Sequence, residues 1–173
     1  MREVDRARGG VSLWSILSGL LVAIGAFVVL SAIVGAILAA LGIAEGGVRP
    51  DEVVTASLGA GIGIVIAQFL AYLWGGYTAG RMARGSGPLN GILVAVAALV
   101  LVAILGGLIA ALIGSAAEGA PPPPNVQTLP LPLGRLGDIA TGVGIGLLVA
   151  MLGGGALGGW LGVQWHTKLE ERG

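Results

Sequence analysis

Cysteine is absent from the 173 residues and histidine occurs once, at His166. Disulfides, thiolate catalysis and cysteine metal sites are therefore excluded, and a single imidazole cannot build a metal centre unaided. Charge is scarce as well, at 10% of the chain against about 25% in a soluble domain. The nine basic and nine acidic residues cancel, so no basic field points to nucleic acid and no acidic one to a cationic substrate. The long apolar runs contain no carboxylate, the group that proton-coupled transporters commonly bury. No nucleophile–base pair can be assembled, and none of the glycine clusters opens a soluble strand–helix unit that would cradle a phosphate. An enzyme is not expected, and nothing calls for a cofactor.

Apolar residues and glycine are what the chain has. It is 55% hydrophobic, carries 33 glycines and has a mean hydropathy of +0.96, the composition of a membrane chain. The expected fold is all-α, a polytopic four-helix bundle in the membrane. Residues 1–10, with Arg2, Arg6 and Arg8, read as a solvated leader. The apolar stretch over 11–43 is too long for a signal-peptide core and predicts a retained first span with Trp14 at the interface. Further spans are expected over 53–77, 91–113 and 138–160. Asp51 and Glu52 stand at the start of the second span and Asp138 at the start of the fourth, where acidic groups complement the helix dipole. Residues 114–137 hold Pro121 to Pro124 with Pro130 and Pro132, a stiff extended connection rather than a helix. The tail, 161–173, prolongs the last helix.

Orientation follows from the basic residues. Arg2, Arg6, Arg8, Arg81, Arg84, Lys168 and Arg172 fall on one side of this topology, and only Arg49 and Arg135 on the other. That bias places both termini in the cytoplasm. Trp14, Trp74, Trp160 and Trp165 fall at the same end, where aromatic rings anchor spans at the lipid boundary, and Tyr77 joins them.

The two halves resemble each other. "GLLVAIGAFVVL" from Gly19 matches "GILVAVAALVLV" from Gly91, and "GIGIVIA" from Gly61 matches "GIGLLVA" from Gly144. Gly75-Gly76-Tyr77 likewise echoes Gly158-Gly159-Trp160. Two hairpins starting on the same side would be parallel repeats. Steps of three and four then predict facing small-residue stripes on the second and fourth helices. One runs through Gly61, Gln68, Gly75 and Ala79, the other through Gly144, Met151, Gly155, Gly158 and Gly162. Gly76 and Gly80 add to the expected packing residues, and a leucine at Gly75 or Gly158 should force these two helices apart.

Gln68 is the one strongly polar side chain near the middle of a span. It is either a ligand contact or, in the plainer reading, half of an interhelical hydrogen bond. Arg81 and Arg84 are topology determinants whose stems snorkel to the interface, with lipid phosphate or an acidic partner as the functional alternative.

The stretch "GGYTAGRMARGSGPLNGILVA", Gly75 to Ala95, resembles a motif of small, uncharacterised four-span membrane proteins of Gram-positive bacteria and actinobacteria. The resemblance implies a bacterial cytoplasmic-membrane protein and brings no catalytic residues with it. The expected role is structural, or as an accessory or partner-binding subunit in contact with lipid and with a second copy or another membrane protein. The alternatives are a small oligomeric transporter or channel, and a stress- or lipid-sensing module read through the charged tail.

Overall fold

The computed structural model describes residues 10–42, 53–83, 86–116 and 133–170. The leader, the acidic start of the second span at Asp51 and Glu52, the proline-rich segment 117–132 and Arg84 lie outside them, as does the side chain of Trp165. The described chain forms four helices and no strand: α1 (Leu13–Ala40), α2 (Val53–Met82), α3 (Gly87–Ala116) and α4 (Leu133–Glu170). All four are long and apolar enough to cross a membrane, where a backbone must pair its own polar groups and helices do so.

Most helices outrun their apolar stretches because backbone pairing does not stop where hydropathy does. α2 continues past Tyr77 for more than a turn, and Ala83 still donates to the Ala79 carbonyl at 3.1 Å. α3 begins at Gly87 rather than at 91, with Pro88 in its first turn, where the missing N–H is no loss. α4 starts at Leu133, inside the stretch for which the sequence predicts an extended connection, and prolongs the span through the tail as far as Glu170. α1 is shorter than its apolar run. Ser12 caps its start, its side chain accepting from the Ser15 N–H at 3.4 Å, and Gly42, at φ +73°, leaves the helix through a left-handed turn.

Contacts fix the topology. Gly19 meets Gly75 while Val34 meets Gly63, so α1 and α2 are antiparallel; Gly61 meets Val143 while Gly158 meets Leu73, so α2 and α4 are parallel. Gly87 meets Gly159 while Gly91 meets Gly155, which makes α3 antiparallel to α4. The helices thus run up-down-up-down, and the two hairpins point the same way. Their packing is not equivalent, however. α2 contacts α3, whereas among the described residues α1 does not contact α4, the matching pair of a two-fold arrangement. The echo between Gly75 and Gly158 is likewise one of sequence: the first packs on α1, within its own half, and the second on α2, across the halves.

Burial is concentrated at one end. The buried core comprises Ile16, Leu20 and Ala23 of α1, Ala71, Tyr72 and Ala79 of α2, Val94, Ala95 and Ala98 of α3, and Met151 of α4. This half holds the start of α1, the end of α2, the start of α3 and the end of α4. Trp14, Trp74 and Trp160 are exposed around it, as interface anchors are. Beyond Ala98 the bundle loosens, and every described side chain between Val102 and Leu112 of α3 is exposed.

Candidate functional site

The close-packed end is built from glycine. On α4, Gly154, Gly158 and Gly162 recur every four residues and lie against the backbone of Phe69, Leu73 and Tyr77 of α2. A second row one residue on, Gly155 and Gly159, faces the gap between α2 and α3. The Gly155 carbonyl sits against both Gly76 of α2 and Gly91 of α3, and the Gly159 carbonyl against Gly80 and Gly87. A Cβ at any of these four glycines would overlap a carbonyl oxygen. Backbones so close gain dispersion contacts and Cα–H···O interactions of about 0.5–1 kcal/mol each.

The geometry redistributes the expected stripes. Gly76, Gly80, Gly158 and Gly162 serve the α2–α4 contact, with Gly61 against Val143 near its far end. Gly75 does not. A Cβ there would stand 2.6 Å from the Gly19 carbonyl oxygen and 2.7 Å from the Ala23 Cβ, both on α1. Adjacent residues on a helix point about 100° apart, so Gly75 and Gly76 address different neighbours. Gly155 faces Gly91 of α3 as well as Gly76. Gly144 packs on nothing, with open space around its Cβ position, because α4 turns that face to a cavity.

A polar clasp holds the same end. Asn90, fully buried, accepts from the Ser12 N–H at 3.1 Å through Oδ1 and donates through Nδ2 to the Ser86 carbonyl at 2.9 Å. It therefore ties the cap of α1 to the first turn of α3. Ser15, also fully buried, donates from Oγ to the Ala79 carbonyl and links α1 to α2. Asn90 is not among the residues that the sequence singles out. The signal was its position just inside an apolar run, where an amide needs partners. The Arg81 guanidinium stands 5.7 Å from the centre of the Tyr77 ring, a cation–π contact at the helix end.

Above this floor lies a cavity of about 380 Å³ to which all four helices contribute. Its walls are apolar side chains, among them Phe27, Ala98, Leu147 and Met151, with Gln68 and Tyr72 supplying hydrogen-bonding groups. The interhelical hydrogen bond expected of Gln68 is not formed: no described residue pairs with its amide, because α2 turns Gln68 toward open space rather than toward a polar neighbour. A second apolar cavity of about 470 Å³ lies between α2 and α4 near Leu58 and Asp138. Among the described residues no group of three potential metal ligands comes together.

The motif from Gly75 to Ala95 is thus accounted for largely by packing: Gly75 seats α1, Gly76 and Gly80 seat α4, Gly87 and Gly91 seat α4 from the other side, and Asn90 clasps α1. Comparison of the chain with protein-family models, with curated proteins and with solved structures finds no match.

Proposed function

We propose that the chain is a non-catalytic, multi-pass protein of a bacterial cytoplasmic membrane, with both termini in the cytoplasm, that acts as an accessory subunit by holding a membrane partner. The membrane and its orientation rest on the distribution of arginine and lysine, on the tryptophans and on the motif resemblance. The observation that carries the partner-holding role is the outer half of α3. Over more than two turns, Val102 to Ile109, every residue is exposed, and a Cβ at Gly106 or Gly107 would meet nothing within 4 Å. A helix that belonged only to this bundle would bury one stripe of that length. Small residues at this position let a further helix approach its backbone.

A photo-crosslinking amino acid at Ile104 or Leu108, activated in native membranes, tests the role. Recovery of one defined protein, a second copy or another membrane protein, supports it; adducts with lipid alone overturn it. The transport alternative has less support, since the central cavity is walled by apolar groups apart from Gln68 and Tyr72 and no charged side chain lines it.

A further inference from the structure

We propose that the cavity between the four helices binds an uncharged, membrane-dissolved lipid with a small ring head bearing carbonyl or hydroxyl groups, the chemistry of a quinone or quinol. This goes beyond the partner-holding role and does not depend on it.

The polar groups select the head. Tyr72 is 5% exposed and lines the cavity, and its hydroxyl finds no partner among the described residues. Gln68 lies one helical turn away on the same wall, so a phenol and a carboxamide face one space. Together they can donate to a ring carbonyl or accept from a ring hydroxyl. Phe27 and Met151 supply flat and polarisable surface for a ring. No charged side chain lines the cavity, so a phosphate or ammonium head would enter without a counter-charge, at heavy cost in this medium.

Depth disfavours the bulk lipid. Along α2, Tyr72 lies about 3 Å and Gln68 about 9 Å below Trp74, the interface anchor, so the carboxamide stands inside a hydrocarbon layer about 30 Å thick. A glycerophospholipid keeps its carbonyls near the surface, whereas a neutral ring lipid dissolves throughout the layer and can bring its carbonyl to Gln68. The mouth of the cavity suits lateral entry: Leu99, Val102 and Leu148 line it and remain exposed where α3 parts from the bundle.

Gly144 provides the test. It lines the cavity and its Cβ position meets nothing within 4 Å, so Gly144→Leu fills the space without disturbing a helix contact. The probe is a benzoquinone with a decyl tail carrying a diazirine beside the ring, photolysed with the full chain in lipid nanodiscs. Labelling should map to cavity residues, be competed by unlabelled decyl-benzoquinone, and fall about tenfold in Gly144→Leu. Tyr72→Phe, which keeps the ring and the packing, and Gln68→Leu should each lower it about fivefold, the loss of one hydrogen bond. Thermal unfolding should show all three variants folded as the wild type is. Labelling spread evenly over lipid-facing residues would overturn the proposal. So would equal competition by a decyl chain lacking the ring, which would mark an apolar crevice only. Should Gly144→Leu fail to fold, an unchanged signal in Tyr72→Phe and Gln68→Leu is enough to refute a polar-headed ligand.

Discussion

Gly158 of α4 rests on the backbone of Leu73 in α2, so closely that a methyl group on it would overlap the Leu73 carbonyl. Gly158→Leu is therefore expected to part α2 from α4 and to cost about 1–3 kcal/mol or more, the range of overpacked sites. Gly75→Leu should instead part α1 from α2. Because the chain is free of cysteine, introduced pairs report each contact: Val34→Cys with Gly63→Cys for α1–α2, and Gly61→Cys with Val143→Cys for α2–α4. Each leucine variant should weaken one crosslink and spare the other. The same crosslink lost in both would contradict this assignment of faces.

Ser15→Ala should be mild. The Ala79 carbonyl that Ser15 bonds also accepts from the Ala83 N–H, so removing the hydroxyl leaves no orphaned acceptor. A loss of about 0.5–1.5 kcal/mol is expected, readable as a small drop in Tm in detergent.

Asn90→Leu should be more severe, at about 1–3 kcal/mol, because two partners lose a fully buried amide at once. The Ser12 N–H at the start of α1 becomes unpaired, so hydrogen exchange in the first turn of that helix should accelerate with it. Unchanged exchange and Tm would show that the clasp contributes nothing.

Topology is open to direct labelling. In single-cysteine variants, Gly10→Cys and Glu170→Cys should react with a membrane-impermeant maleimide from one side, and Gly42→Cys from the other. The reactive side for the first two should be the cytoplasmic one. Reaction of Gly10→Cys and Glu170→Cys from opposite faces would rule out four crossings.

At the candidate site the order of residues marks residue type but not direction. Small residues at helical spacing pointed to close packing, and Gly158 and Gly162 do meet α2. Yet Gly75, Gly76 and Gly155 divide their contacts among three neighbours, and Gly144, on the same expected stripe, has none. In a soluble helix the polar face reveals the buried one. These spans are apolar all round, since lipid and core are equally hydrocarbon-like, and the rotation of each helix leaves little trace in the order of residues.

Asn90 and Gln68 show the same limit from the polar side. Both are amides in or beside apolar runs, and the chain order does not distinguish them. Asn90 meets an unpaired N–H at the cap of α1 and a carbonyl one turn back, while Gln68 faces a cavity. The difference lies in which backbone groups another helix brings within reach.

The sequence by itself determined the class of solvent, the number of crossings and the end at which tryptophan and arginine gather, because these depend on sums of transfer free energy over stretches of about 20 residues. The tertiary structure alone decided that Gly75 seats α1 while Gly76 seats α4, that Gly144 lines a cavity, and that α3 leaves the bundle beyond Leu101. Those are matters of rotation and crossing point. A turn of about 100° exchanges one neighbour for another without altering any sum along the chain.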